Sequence, residues 1–209
     1  MEQAILHWAR GHGHIVLAVA STGIAALLLE GGNTVHSAFR VPLTILPDSR
    51  LNIGAQTAIA KLVRRASAIL YDEAAPHSVH ILNAIDLSFR DLRSDNRPFG
   101  GISVLMAGDF RQTLPIEVHA SDAVVVSLCL HQWSGWKDHV KVFELHENQR
   151  CMRLLEKAVD DEERNSILRW KLYLERATGN IARVPPQRLR GRGMSRILSD
   201  TCDQSIKQC

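Results

Sequence analysis

Long apolar runs are missing from this chain. No stretch of about 18 consecutive apolar residues occurs, and the opening MEQAILHWARGHGH has no basic start, long apolar middle or small-residue cleavage site. No membrane span is expected, and the chain is expected to be soluble and intracellular. Cysteine is scarce and scattered: Cys129, Cys151, Cys202 and Cys209 form no C-x-x-C pair, which argues against a zinc knuckle and against a disulfide framework. Ten histidines look metal-like in number, but His7, His12 and His14 stand among glycines in an apparent turn, with no matching cluster of carboxylates or cysteines. A loop explains them better than a metal site. A strong charge of one sign is lacking too, since the formal net charge is +3. The small excess is uneven: residues 1–150 carry 13 basic and 14 acidic side chains, whereas 151–209 carry 12 and 8. Five arginines and no acid lie between Arg183 and Arg196, among prolines and glycines. Such a stretch suits phosphate contact, and it equally suits a solvated, irregular tail.

What is present is a core. With 209 residues and 45% hydrophobic content, the chain can fold as one α/β domain with an appendage. Four runs rich in Val, Ile and Leu read as strands buried on both faces: IVLAVAS (15–21), SAILYDE (67–73), ISVLMAGDF (102–110) and VKVFEL (140–145). Helical patterns separate them. One runs from Thr22 to Glu30 and closes at Gly31-Gly32; a second spans Gln56 to Arg65. A third repeats Val79, Leu82, Ile85, Phe89 and Leu92 between Pro76 and Pro98. Strands alternating with crossover helices predict a three-layer α/β fold with a parallel sheet. Beyond Arg150 the pattern becomes one charged helix or helix pair, Met152 to Ala177, stopped by Gly179-Asn180. A boundary is therefore expected near residue 150.

Ligands of open parallel sheets sit outside the carboxyl ends of the strands. The residues there are Ser21-Thr22-Gly23, Asp72-Glu73, the run from Gly108 to Gln112, and Asn148-Gln149-Arg150. Two carboxylates, an amide and an arginine around one crevice suit hydrolysis of a nucleoside triphosphate. One acid can hold Mg²⁺ through water and its neighbour can deprotonate the attacking water. A glutamine can bond that water and the terminal phosphate, and an arginine can offset the developing charge. Taken singly, each has a plainer explanation: a DE pair caps a helix, Gln112 fills a turn, and Arg150 is a surface charge.

Read together, YDEAAP, GDFRQTLPI and LHENQR, preceded by VASTGIAALLLEGGNTVHSAFRVPL, resemble the successive motifs of the Pif (petite integration frequency) type of superfamily-one DNA helicases, in the version met in eukaryotes and Helitron transposons. The resemblance covers residues 1–150 in order and spacing. It implies a RecA-like P-loop NTPase fold and ATP-dependent 5′-to-3′ DNA unwinding, in DNA repair, recombination and telomere maintenance, with ATP as substrate and Mg²⁺ as cofactor. It implies that Asp72 binds Mg²⁺ and Glu73 is the catalytic base. Gln112 would sense the γ-phosphate, with Asp109 in the same motif, and Arg150 would contact the γ-phosphate from the end of the first RecA-like domain. Thr22, Gly23, His36, Ser37 and Phe39 would lie along single-stranded DNA, an aromatic suiting a stacked base; packing within their own loop is the other reading of His36 and Phe39. The partners implied are single-stranded DNA and duplex junctions, with no protein partner inferable, and the setting implied is nuclear.

The phosphate-cradling string G-x-x-x-x-G-K-[ST] is absent from all 209 residues. The family places it just upstream of residue 1, so MEQAILHWARGHGH is expected to be the remainder of the helix that follows it. The expected organisation is a partial first RecA-like domain lacking its first strand and phosphate loop (1–150), a helical connection toward a second RecA-like domain (151–180), and an arginine-rich irregular tail (181–209). On this reading the chain alone is inactive. The alternative is a non-enzymatic remnant that binds single-stranded nucleic acid through residues 22–39 and the tail. A clamp-loader-like ATPase would explain the acid pair and a distal arginine, but not T-x-H-S-x-F beside GDFRQ.

Overall fold

The computed structural model describes residues 2–110, 113–145 and 148–177, with side chains as far as Tyr173. Gln112 and the arginine-rich stretch fall outside the described residues. The chain divides into two compact units between Val140 and Lys141.

In the first unit four parallel strands form one sheet: β1 (Val16–Ala20), β2 (Asn33–Thr34), β3 (Ala68–Asp72) and β4 (Ser103–Met106), in the order β2-β1-β3-β4. The helices that connect or flank them are α1 (Glu2–Gly11), α2 (Gly23–Leu27), α3 (Val35–Phe39), α4 (Ala58–Arg65) and α5 (Val79–Arg93). Because the pleat sends successive side chains to opposite faces, two cores form. Leu17, Val19, Ile69 and Tyr71 pack with Phe39, Val63, Leu82, Ile85 and Phe89 on one face. Val16, Ala18 and Leu70 pack with Leu6, Ala9 and Leu29 on the other. All five residues of β1 are buried, which is why its sequence shows no polar alternation. The expected α/β class and parallel sheet are found.

Helix α5 shows how the pattern becomes packing. Val79, Leu82, Ile85 and Phe89 recur at three- and four-residue spacing and are buried. Asp86 lies on the same buried side, where Arg90 donates to both its oxygens at 2.8 and 2.7 Å and the Phe99 N–H donates to Oδ1. That carboxylate thus anchors the short 3₁₀ turn Pro98–Gly101 that leads into β4. Arg93 donates to the carbonyls of Val63, Arg64, Ala66 and Gly100, tying the end of α4 to the same turn.

Helix α2 is shorter than the Thr22–Glu30 pattern suggests, because the chain reverses at once through Gly31 and Gly32 to reach β2. A Cβ on Gly32 would stand 2.4 Å from the Ala26 carbonyl oxygen, so only glycine fits this reversal. Strand β4 also ends early, at Met106 rather than Phe110. Beyond it, α6 (Asp122–Ser127), a 3₁₀ turn (Leu130–Gln132) and α7 (Trp136–His139) complete the unit. Leu130 and Trp133 enter the main core there, the Trp133 ring lying 5.2 Å from that of Phe99.

The fourth expected strand, VKVFEL, is not formed: residues 140–145 have no regular structure, and Val142, Phe143 and Leu145 are exposed. Strand propensity acts only where a neighbour supplies backbone partners, and no described strand pairs with this segment. In the second unit the expected helix pair appears as α8 (Gln149–Lys157) and α9 (Asp161–Ala177). The turn between them is held by an N-cap, the Glu163 N–H donating to Asp160 Oδ1 at 2.7 Å, and by the Val159 N–H donating to Glu163 Oε2 at 3.0 Å. No helix among the described residues is long and apolar enough to cross a membrane.

Candidate active site

Register brings the strand tips together. Val19 is level with Tyr71 and Ala20 with Asp72, while Tyr71 is level with Met106, so the first polar residues after each strand share one edge. The Ser21 N–H donates to the Asp72 carbonyl at 3.2 Å, extending the β1–β3 ladder by one rung. Across the other side, the Ala107 N–H donates to the Tyr71 carbonyl at 2.8 Å and the Ala74 N–H to the Ala107 carbonyl at 2.9 Å. Gly108 passes directly over this turn, and a Cβ there would stand 3.2 and 3.3 Å from the amides of Ala75 and Ala74. The loop after the two acids is therefore clamped between two strand ends.

Glu73 itself has a left-handed backbone, φ 47°. A non-glycine residue pays roughly 1 kcal/mol for that conformation. Its N–H donates to Asp72 Oδ1 at 2.8 Å, which fixes the turn. The exposed Glu73 side chain consequently runs back across the tip of β1, where Thr22 Oγ1 donates to Glu73 Oε2 at 3.2 Å. Thr22 is the N-cap of α2 and its oxygen also accepts the Ala25 N–H at 3.2 Å. Sequence reasoning assigns Thr22 and Glu73 to different tasks; the structure puts them in contact.

A second link leads from β3 toward α3. Tyr71 is buried in the core, and its hydroxyl is hydrogen-bonded to His77 Nδ1. Burial pushes the phenol well above its usual range, so the hydroxyl stays protonated and donates. Burial, reinforced by the neighbouring His36, pulls His77 down to about 4, so its ring is neutral and accepts. The His36 and His77 rings meet edge to face at 5.3 Å. His77 is a residue that sequence reasoning missed; its only signal is a histidine close behind an acid pair.

The expected nucleic-acid residues are not alike. Thr22, Gly23 and Ser37 are exposed, His36 is half-buried, and a Cβ on Gly23 would meet no atom within 4 Å. Phe39 is different: it is 2% exposed and packs edge-on against Phe89 at 5.2 Å. A ring enclosed in the core cannot stack on a base, which corrects the expectation for its side chain. Asp109 is half-buried beyond the end of β4. Arg150 is exposed in the first turn of α8, in the second unit.

The donor set suits a hydrated Mg²⁺. Among the described residues no three His, Cys, Asp or Glu side chains gather into a metal-holding cluster. Mg²⁺ needs no such cage, being held by one or two carboxylates with water and substrate phosphates. Ser21 Oγ, at the tip of β1, is buried without a hydrogen-bond partner, an orphan donor beside the strand that carries Asp72. Orphaned groups of this kind mark places where water, an ion or a ligand completes the bonding.

A family model described as PIF1-like helicase matches residues 1–183. The ATP-dependent DNA helicase PIF4 of Trypanosoma brucei brucei is 35% identical over 120 residues, covering 54% of this chain and 14% of the relative. The ATP-dependent DNA helicase PIF1 of Saccharomyces cerevisiae is 29% identical over 137 residues, covering 61% and 15%. Among solved structures, Bacteroides Pif1 bound to single-stranded DNA is similar with a TM-score of 0.55 and 26% identity, over 78% of this chain and 42% of that one. Pif1 from Candida albicans gives 0.53 and 26%, over 78% and 38%. The chain thus spans less than a fifth of these curated relatives and about two-fifths of the solved chains.

Proposed function

Since the chain belongs to the PIF1-like helicase family, we propose that its first unit supplies the acid-bearing strand tips and a single-stranded DNA contact of an ATP-dependent 5′-to-3′ DNA helicase. The observation that carries this is the 3.2 Å contact of Thr22 with Glu73. It supports the reading because Thr22, which the motif resemblance would put along DNA, touches Glu73, which the same resemblance would make the base. Asp72, a half-buried carboxylate at a strand tip, would hold Mg²⁺ through water. Bound there, Mg²⁺ would offset charge on the phosphates of ATP. Glu73 would take the proton of the attacking water, since its side chain is exposed and is carried on the clamped turn beside Asp72. Gln112 and Arg150 would meet the γ-phosphate, with Asp109 supporting the same motif. Thr22, Gly23, His36 and Ser37 would line single-stranded DNA beside a duplex junction, while Phe39 would support that segment from beneath. The resemblance of the motifs also supports a nuclear setting in repair, recombination and telomere maintenance.

Two measurements test this reading. Anisotropy of a labelled oligodeoxythymidine should show binding to the 209-residue chain that weakens steadily with salt; no binding at low salt would refute the DNA contact. The chain alone, with no phosphate-loop string in its 209 residues, should not hydrolyse ATP. Placed in a Bacteroides Pif1 helicase in exchange for the matching segment, residues 2–150 should support DNA-stimulated hydrolysis. In that chimaera Glu73→Gln should lower kcat at least about 100-fold, the usual minimum for loss of a general base. Equal rates with Glu and Gln would remove Glu73 from the chemistry.

A further inference from the structure

We propose that Thr22 is a positioning residue that gates Glu73. Its hydroxyl donates its one hydrogen bond to the Glu73 carboxylate in the absence of nucleic acid and to a backbone phosphate oxygen when single-stranded DNA is bound, so DNA binding releases the base. This rests on the functional reading above and adds a coupling that the reading does not contain.

The argument is one of hydrogen-bond capacity. A threonine hydroxyl has one proton to donate and two lone pairs. The Thr22 oxygen is held in place as the N-cap of α2, where it accepts the Ala25 N–H at 3.2 Å. Its one proton is directed to Glu73 Oε2 at 3.2 Å. A phosphate oxygen carries no proton, so it can bond this hydroxyl only by displacing the carboxylate. The two states exclude one another.

The surroundings favour a switch over a permanent strut. Thr22, Gly23 and Ile24 are all exposed, with open space above Gly23, so a backbone phosphate can reach the hydroxyl. The base of the Glu73 side chain is fixed by its left-handed backbone and by the bond from its N–H to Asp72 Oδ1. Only the outer torsions of the side chain are free to respond. While the Thr22 bond stands, the carboxylate lies over the tip of β1; when it breaks, the carboxylate can turn to meet a water. Thr22 and Glu73 are 51 positions apart in sequence, and the Ser21–Asp72 backbone bond keeps the two tips in register in both states.

If phosphate and carboxylate compete for one proton, deleting the carboxylate must strengthen DNA binding by more when the hydroxyl is present than when it is not. The affinity of the chain for labelled oligodeoxythymidine would be measured for the wild type, Thr22→Val, Glu73→Ala and the double variant. Glu73→Ala removes a negative charge, so some tightening is expected in both backgrounds and should shrink with salt. The gate adds an extra gain of about threefold or more with Thr22, absent with Val at position 22 and persistent at moderate salt. Thr22→Ser, which keeps both hydroxyl and cap, should restore it. Purely multiplicative effects of the two substitutions would overturn the gate while leaving the DNA contact standing. A gain that Thr22→Ser fails to restore would overturn it equally. No binding by the wild type would instead take down the functional reading, and the gate with it.

Discussion

Phe39→Ala should lower the stability of the first unit by about 3–5 kcal/mol and its melting midpoint by roughly 6–20 °C. The ring is 2% exposed, lies in the main core with Val35, Val63 and Leu82, and meets Phe89 edge to face at 5.2 Å. Truncation removes the transfer free energy of an aromatic side chain and leaves a void that a close-packed interior closes only in part. The edge-to-face pair is lost as well, worth about 0.5–1.5 kcal/mol. For single-stranded DNA the expectation is the reverse: Phe39→Leu, which keeps most of the volume, should leave affinity unchanged. A Phe39→Ala protein that melts at the wild-type temperature and loses tenfold in DNA affinity would show that the ring stacks on a base after all.

Phe39 also shows where local reading fails. In H-S-A-F-R an aromatic between polar neighbours looks like a surface residue, and α3, with five residues, is too short to display a helical period. Its burial comes from Phe89, fifty positions away on α5, which no local pattern announces. The strand tips are legible for the opposite reason. β1 and β3 are buried on both faces, so the first polar residue after each apolar run marks the edge of the sheet, and Asp72 declares itself. What those tips do to each other is not legible. The Thr22–Glu73 bond depends on the level pairing of Ala20 with Asp72 and on a left-handed Glu73, properties of register and backbone that the letters Asp-Glu do not carry. VKVFEL is the converse case, a run with strand propensity and no described strand to pair with.

Lowering the pH from about 6.5 to about 4 should cost the first unit about 3 kcal/mol through His77 alone. In the unfolded chain this histidine takes up its proton near 6.5; in the folded protein burial and the nearby His36 hold it neutral down to about 4. Between those values the unfolded state binds the extra proton, so stability falls as pH falls through the window and is constant above it. The folded state resists because neutral His77 Nδ1 accepts a hydrogen bond from the Tyr71 hydroxyl, whose phenol is itself held protonated by burial. A charged imidazolium has no lone pair for that bond and would leave a buried hydroxyl without its acceptor. Urea unfolding across the window isolates the effect when the wild type is compared with His77→Gln, whose amide oxygen can still accept from Tyr71 but does not titrate. His131, whose own value burial also lowers, acts in the same direction in both proteins and cancels. The wild-type curve should drop below that of His77→Gln progressively under pH 6.5; parallel curves would mean that His77 is as easily protonated in the fold as in the open chain. The same step bears on the candidate site, since His77 follows the acid-bearing turn and touches His36 on α3. Acid should therefore loosen the contact between the Asp72 strand and the segment assigned to DNA before the unit unfolds, and amide exchange at residues 72–77 in mildly acidic buffer should rise in the wild type while staying slow in His77→Gln.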